Sequence, residues 1–299
     1  MALVREGTER RGRPLRVGII NIMPRAETYE ANLLGPLARA SSLVEPVWIR
    51  LESHGYGSSD ARHIERRYVT FERAASASSL DGLILTGAPV EDLPFEEVHY
   101  WSELEAILRE ARRTIPSTLG LCWGGLALAK QLDIEKQSFS KKLFGVYRNR
   151  SFAAGGGLLT GGQERFWCAH SRHSGIRDEV LERAAEDGRV NLLSHAPETG
   201  YSIFQSRDRR YLAHLGHPEY DPQRLVFEWE RDRALGRADV APPVNFDPEA
   251  PQDQWRSHRT TFFSRWLASL AEGGAPAVAP ANPPRDLDPR GSKPRGSLA

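Results

Sequence analysis

The sequence predicts an α/β fold of the doubly wound class, with a mostly parallel sheet flanked by helices. Apolar runs rich in β-branched residues, which are typical of strands buried on both faces, alternate with segments of helical periodicity. This alternation indicates parallel strands, because each crossover between them carries a helix. The chain has 299 residues, of which 40% are hydrophobic, so it can bury a full core. We predict one large domain over residues 15–272.

The first half of the chain supplies these elements in a regular order. A β-branched run ended by a proline predicts the first buried strand, and Pro46 predicts that the second strand lies at an edge of the sheet. Gly35 and Pro36 interrupt the helical pattern that lies between these strands. A third strand, an amphipathic helix and a strand–turn–helix segment follow. The predicted ranges are, in order, 15–24, 31–41, 43–52, 80–91, 100–114 and 117–132.

The second half of the chain is patterned less regularly. It predicts a strand at 189–197 and a hairpin whose turn lies at 206–210. A charged helix at 223–236 and an amphipathic helix at 255–272 follow.

Both ends of the chain are predicted to lie outside this domain. Residues 1–14 are charged and contain glycine and proline, so we expect a flexible arm. Residues 273–299 are rich in proline, glycine and alanine and cannot offset their ordering entropy, so we expect a disordered tail. The N-terminal residues carry charges where a secretion signal needs an apolar core, and no apolar run approaches the roughly 20 residues of a membrane span. We therefore predict a cytoplasmic protein with no membrane partner.

Charge and cysteine content argue against several classes of protein. The formal net charge is +1, which leaves no electrostatic basis for a nucleic-acid partner. The two cysteines, Cys122 and Cys168, are too few for a disulfide framework and suit a reducing compartment. His170 and His173 lie close in sequence, but no cluster of cysteine, histidine or carboxylate completes a ligand set around them. We predict no metal site.

Cys122 is a candidate nucleophile. The segment LGLCWGG places it between a short apolar run and a helix-like run, within the pattern G-x-C-x-G from Gly120 to Gly124. A side chain on a tight strand-to-helix turn is raised above the sheet, and the N-terminus of the following helix favours a thiolate. The backbone amide of Trp123 would face an oxyanion. A free cysteine in an apolar run is also often an inert core residue, so this stretch alone leaves both interpretations open.

A base and an orienting carboxylate are available in GHPEYD. His217 and Glu219 are two positions apart, so in an extended segment they share a face, and Pro218 disfavours a helix. His217 would reach Cys122 while Glu219 fixes its tautomer. Taken alone, H-P-E more commonly means a solvated histidine and glutamate beside a turn. Its occurrence together with G-x-C-x-G favours catalysis.

Seven stretches together resemble the homoserine O-acyltransferases, the O-acetyl- and O-succinyltransferases with a class I glutamine-amidotransferase-like, flavodoxin-like three-layer fold. They run in the family's order across residues 15–268. The stretches are NIMP at Asn21, DGLILTGAPVEDLPFEEVHYW at Asp81, STLGLCWGGLALA at Ser117, KKLFGVY at Lys141, AHSRH at Ala169, GHPEYD at Gly216 and WRSHRTTFFSRWL at Trp255.

The resemblance implies a ping-pong acyl transfer in methionine biosynthesis. Cys122 attacks the thioester of an acyl-CoA, His217 shuttles the proton and Glu219 orients His217. The acyl-enzyme then passes its acyl group to the hydroxyl of an amino acid, most simply homoserine. Acetyl-CoA or succinyl-CoA is the co-substrate, and no permanently bound cofactor is implied. Members of this family are commonly homodimers, so the resemblance also implies a homodimer.

The resemblance implies further site residues at positions that match the motifs of the family. Arg231 matches the arginine that holds the carboxylate of the amino acid, and Lys142 and Ser171 match residues that line the substrate site. Glu91 stands where acetyl-users of the family carry glutamate and succinyl-users carry glycine. A carboxylate there narrows the acyl pocket and repels the distal carboxylate of succinyl-CoA, which favours acetyl-CoA. Glu91 could otherwise simply cap its loop.

Departures from the family's pattern leave the acceptor open. Arg25 and Ala26 follow NIMP where a lysine-containing run is usual, and Trp123 is followed by Gly124 and Gly125. We expect this glycine pair to reshape the acceptor side of the turn. Serine is the nearest rival acceptor, because a pocket discriminates one methylene weakly, and it would imply cysteine supply. Homoserine O-succinyl transfer, a glutaminase or hydrolase of the same fold, and a non-catalytic binding protein also stay open.

Overall fold

The computed structural model describes residues 13–40, 42–152 and 164–274. Nine strands lie in this part of the chain: β1 Leu15–Ile20, β2 Val44–Ile49, β3 Gly82–Leu85, β4 Thr118–Leu121, β5 Gln137–Ser151, β6 Arg165–Gly175, β7 Val190–Ala196, β8 Gly200–Ser206 and β9 Tyr211–His214. The α-helices of the same residues are α1 Ala26–Arg39, α2 Ala61–Arg67, α3 Phe71–Ala77, α4 Trp101–Thr114, α5 Trp123–Lys130, α6 Asp178–Glu186, α7 Pro222–Ala234 and α8 Arg256–Ala271, and a 3₁₀ turn spans Phe95–Glu97.

The strands form one mixed sheet in the order β2-β1-β3-β4-β9-β8-β7-β5-β6. The first five strands in this order pair in parallel, and every pair from β9 onwards is antiparallel. The predicted α/β class is confirmed, and the parallel half corresponds to the regular half of the sequence. The sheet is less parallel than predicted, because β7, β8 and β9 are joined by hairpins that carry no crossover helix.

Helices cover both faces of the sheet. Along β3 the side chains alternate, so that Leu83 and Leu85 face one apolar cluster while Ile84 faces the other. Leu104 of α4 and Leu181 of α6 belong to the first cluster. The second cluster is built from α1, α7 and α8 and includes Tyr29, Leu33, Leu225, Phe262 and Trp266. The result is the three-layer arrangement expected from the sequence.

The long antiparallel pair of β5 and β6 was not predicted. β5 begins with a mostly exposed, polar stretch, and its register with β6 shifts between Ser138 and Leu143. β6 buries His170, Ser171 and Arg172 in succession. Because these polar residues interrupt the apolar periodicity, the sequence pattern does not indicate a buried strand there.

Smaller departures concern a proline and the ends of the chain. Pro46 lies in the edge strand β2, as predicted. Pro36 does not interrupt its helix: α1 starts at Ala26, earlier than expected, and continues to Arg39. Within the predicted arm, Arg13 pairs with Asp81 at 2.5 Å. Residues 1–12 of the arm and residues 275–299 of the tail lie outside the described residues.

Within the described residues, no helix has the length and apolar character of a membrane span.

Candidate active site

Cys122 lies on a sharp turn at the carboxyl end of β4. Cys122 stands between β4 and α5. Its backbone has φ 50° and ψ −113°, a conformation that residues other than glycine rarely adopt. The residue is 4% exposed. A strained strand-to-helix turn of this kind lifts a nucleophile above the sheet. The local backbone therefore favours the reactive interpretation of this thiol over the inert one.

His217 and Glu219 follow β9 and form a buried pair. Nδ1 of His217 donates to Oε1 of Glu219 at 2.7 Å, and the hydroxyl of Tyr29 donates to the same oxygen at 2.6 Å. The ring of His217 stacks on Tyr220 with 4.0 Å between the ring centroids. These contacts assign the proton to Nδ1 and leave Nε2 for the thiol of Cys122.

His217 is tuned by its neighbours. Burial alone would lower its pKa, but the charges of Cys122 and Glu219 and hydrogen bonds to both raise the pKa of His217 well above its ordinary value. A buried imidazole that holds its proton beside a thiol is the arrangement found around nucleophilic cysteines. The three side chains are therefore arranged as predicted for a nucleophile, a base and an orienting carboxylate, and these roles stay predictions.

A cavity of about 230 Å³ opens onto the thiol. Six of the eight site residues predicted from the sequence line it: Glu91, Cys122, Lys142, Ser171, His217 and Arg231. Glu219 lies behind His217 and does not line the cavity. The structure thus brings these residues together, while the individual roles assigned to them stay predictions.

Trp123 contributes to the core with its side chain. The indole is fully buried and packs near the rings of Phe95, Tyr100 and Trp101. Trp123 is also the first residue of α5. Only its backbone N–H is therefore available for the predicted oxyanion role.

Glycines around the turn allow it to pack closely on the sheet. A Cβ on Gly120 would lie 2.5 Å from the carbonyl oxygen of Gly124, and a Cβ on Gly124 would collide with the carbonyl oxygen of Leu85. Gly125 faces the side chain of Leu215. Neither Gly124 nor Gly125 lines the cavity. The expectation that this pair reshapes the acceptor side is wrong, because both glycines face the sheet.

One side of the cavity is organised by two carboxylates of α7. Nζ of Lys142 donates to Asp232 at 2.7 Å and lies 3.7 Å from Glu228. The hydroxyl of Ser171 donates to Glu228, and that of Tyr220 donates to Glu228 at 2.8 Å. The sequence analysis missed both carboxylates. Their i, i+4 spacing on a charged helix is the signal that could have pointed to them.

The charges on this side are nearly balanced. Arg231 pairs with Asp232 at 2.7 Å, and its side chain is 42% exposed. Burial would raise the pKa of Glu228, but the positive charges of Lys142 and Arg224 outweigh it and bring the pKa down to about 2. Both carboxylates are thus held by cations, and the exposed part of the Arg231 guanidinium is left for an anion.

The opposite side of the cavity is built on Glu91. Its Oε1 accepts from the backbone N–H of His173 at 2.9 Å and lies 3.1 Å from Nδ1 of the same residue. Its main-chain carbonyl accepts from the hydroxyl of Ser174 at 2.7 Å and from Nζ of Lys136. Glu91 is therefore tied to β6 and faces the cavity. It does not simply cap its own loop.

Cys168, His214 and His258 form a second buried cluster behind the site. Nε2 of His214 lies 3.9 Å from the Sγ of Cys168 and 3.1 Å from Nε2 of His258. The N–H of Gly216 donates to Nδ1 of His214 at 3.1 Å, so the proton of that ring sits on Nε2. A metal would need the lone pair of Nε2, and the donor set does not fit one. The sequence missed this cluster because its members are far apart in the chain.

A homoserine O-succinyltransferase family model matches residues 3–273 of the chain. A homoserine O-acetyltransferase of Petrotoga mobilis is 37% identical over 261 residues, which cover 85% of this chain and 83% of the relative. A homoserine O-acetyltransferase of Clostridium novyi is 36% identical over 261 residues, which cover 85% of each chain.

Solved structures share the fold at low sequence identity. A glutamine amidotransferase of Thermotoga maritima superposes with a TM-score of 0.51 at 13% identity, covering 88% of this chain and 98% of that one. The glutaminase domain of Trypanosoma brucei CTPS gives a TM-score of 0.54 at 10% identity, covering 91% and 99%. These similarities confirm the predicted amidotransferase-like fold and carry nothing about the reaction.

Proposed function

The chain belongs to the homoserine O-succinyltransferase family, and on that premise we propose that it is a homoserine O-acetyltransferase of methionine biosynthesis. The observation that carries the proposal is that Glu91 lines the same cavity as Cys122 and His217. A nucleophile with its base thus faces a pocket narrowed by a carboxylate, which suits a small uncharged acyl group. The names of the two relatives agree with acetyl transfer to homoserine.

The first half-reaction loads the acetyl group on the enzyme. His217 takes the proton of the Cys122 thiol, and the thiolate attacks the carbonyl carbon of acetyl-CoA. The oxyanion that forms lies against the backbone N–H of Trp123. Collapse of this intermediate breaks the bond to the CoA sulfur, which leaves with the proton held by His217. Exchange of one thioester for another is nearly isoenergetic, so binding energy can be used for positioning.

The second half-reaction transfers the acetyl group to the acceptor. Nε2 of His217 removes the proton of the homoserine hydroxyl, and the oxygen attacks the acetyl thioester on Cys122. Collapse expels the thiolate of Cys122 and forms the O-acetyl ester. The exposed part of the Arg231 guanidinium would hold the carboxylate of homoserine. Lys142 and Ser171 are held by the carboxylates of α7. They would line the part of the cavity that the backbone atoms of homoserine occupy.

A matrix of donors and acceptors tests this proposal. The purified protein is given acetyl-CoA or succinyl-CoA with homoserine or serine, and release of the CoA thiol is followed. We expect release with acetyl-CoA and homoserine and much less with every other pair. Absence of release with all pairs would overturn the proposal, and ammonia release from glutamine would favour a hydrolase of the same fold. The names of the relatives lend no support to a serine acceptor or to a role in cysteine supply.

The two cysteines provide a matched control for the mechanism. Incubation with acetyl-CoA alone should label the protein with one acetyl group, detected by mass spectrometry. Cys122→Ala should abolish the label. Cys168→Ala should retain it, because Cys168 is fully buried and does not line the cavity. A labelled Cys122→Ala protein would exclude Cys122 as the nucleophile.

The cytoplasmic location and the homodimer that the sequence analysis expects stay predictions.

A further inference from the structure

His173 offers the carboxylate of Glu91 two donors. The backbone N–H and the imidazole Nδ1 both point at Oε1, at 2.9 and 3.1 Å. Two converging donors, one of them on a ring that can carry charge, are a receptor for a carboxylate. Both residues line the same cavity as Cys122. This receptor therefore lies within the space that the acyl group would enter.

Charged groups surround the other faces of His173. Its Nε2 lies 2.9 Å from Asp239 and 3.1 Å from Nη2 of Arg237, which is itself paired with Asp239. Lys142 opposes the protonation of His173, and Asp92 favours it. The hydrogen bond to Glu91 is the largest influence, and it raises the pKa of His173 above its usual value although burial opposes it.

The receptor does not depend on the side chain of Glu91 for its shape. The main-chain carbonyl of Glu91 is held by Ser174 and Lys136. The backbone N–H of His173 is fixed in β6, and Asp239 holds the far side of the imidazole. Truncation of Glu91 would leave these contacts in place and vacate the two donors.

We propose that His173 is the acyl-selectivity partner of Glu91: it holds the Glu91 carboxylate in the pocket, and it binds the distal carboxylate of a succinyl group when that side chain is removed. The inference rests on the proposed acyl transfer. Glu91 then selects acetyl-CoA by filling space and by occupying the donors that a succinyl carboxylate needs. Repulsion is the smaller effect, because the charge of Glu91 is largely matched by His173.

Removal of Glu91, alone and together with His173, tests this role. We expect Glu91→Gly to raise the ratio of kcat/KM for succinyl-CoA over acetyl-CoA. Adding His173→Ala should cut succinyl use about tenfold or more, mainly through KM, which is the order expected for a lost charge-assisted hydrogen bond. His173→Asn in the same background should restore part of it, because its amide can replace the Nδ1–H.

A histidine outside the cavity provides the matched control. His195 pairs with Asp178 at 2.8 Å and does not line the cavity, so His195→Ala should leave the succinyl preference of Glu91→Gly unchanged. The Glu91→Gly protein lacks the main contact that raises the pKa of His173, so His173 should lose its proton at a lower pH there than in the unmodified protein. Succinyl use by this variant should fall as the pH rises through that lowered pKa, because the cation is then lost. Acetyl use should not follow the same profile.

Three outcomes separate this inference from the proposed function. Equal succinyl use with and without His173 would overturn the inference. So would a Glu91→Gly protein that transfers acetyl groups but gains no use of succinyl-CoA. Failure of the unmodified protein to release CoA with any donor would instead overturn the proposed function. Glu91→Ala replaces Glu91→Gly in the same series if the glycine variant does not fold.

Discussion

At the scale of single residues, the orientation of His217 depends on a carboxylate that is itself held by a hydroxyl. Oε1 of Glu219 accepts from both His217 and Tyr29, while its Oε2 is buried without a hydrogen-bond partner in the described part of the chain. Tyr29 does not line the cavity. We therefore expect Tyr29 to act on the proposed reaction only through the position of Glu219.

Replacement of Tyr29 by phenylalanine should lower kcat by about tenfold, because one hydrogen bond to a charged group contributes about 1.5 kcal/mol or more. The KM values for both substrates should change little. Steady-state kinetics would check this split. Tyr211→Phe is a suitable control, since that buried hydroxyl donates to the carbonyl of Leu108 outside the cavity. A rise in KM at constant kcat would argue against a positioning role for Tyr29.

At the scale of secondary-structure elements, α7 organises one side of the cavity from its buried face. Asp232 pairs with both Lys142 and Arg231, and Glu228 holds Ser171. The side chain of Asp232 is 4% exposed, so its charge is compensated by these partners. A single helix thus fixes three of the predicted site residues at once.

Asp232→Asn should therefore impair the acceptor step more than the loading step. Loss of the charge frees Lys142 and Arg231 to shift, and we expect the KM for homoserine to rise about tenfold, as for a lost charge-assisted hydrogen bond. The rate of acetylation of Cys122, measured by rapid mixing with acetyl-CoA alone, should change much less. Glu230→Gln, on the exposed face of the same helix, should alter neither. Equal loss in both half-reactions would contradict the assignment.

The elements that the sequence predicts best are those whose surroundings are uniform. Strands such as β1 and β3 are buried on both faces, so they read as apolar runs. The strands β5 and β6 were not predicted because Lys142, Ser171 and His173 interrupt their apolar periodicity, and these residues line the cavity. Tyr29 escaped for another reason: its contact with Glu219 spans 190 positions, which no local pattern records.

At the scale of the whole molecule, three elements that are distant in the chain meet in a buried group of neutral histidines. His170 lies on β6, His214 on β9 and His258 on α8. Burial lowers the pKa of His258 to about 3 and the pKa values of His170 and His214 well below the ordinary value. Each of these rings is therefore neutral in the folded protein at pH values where the unfolded chain protonates it.

The protein should consequently lose stability as the pH falls below about 6.5, the ordinary pKa of histidine. From there down to about pH 3 the unfolded state binds more protons than the folded state, so the free energy of unfolding falls by up to about 1.4 kcal/mol per pH unit for each such histidine. His217 and His173, whose pKa values are raised, contribute stability that is fully present below pH 6.5 and do not reverse this slope.

Urea unfolding at several pH values between 7 and 5 would measure this slope. His258→Gln should make it shallower by about one proton, about 1.4 kcal/mol per pH unit, because one histidine no longer titrates on unfolding. Glutamine can still accept the hydrogen bond that His214 donates, so the variant should fold at pH 7. A stability that does not change between pH 6.5 and 5, or a variant with the slope of the unmodified protein, would show that the buried histidines do not control acid unfolding.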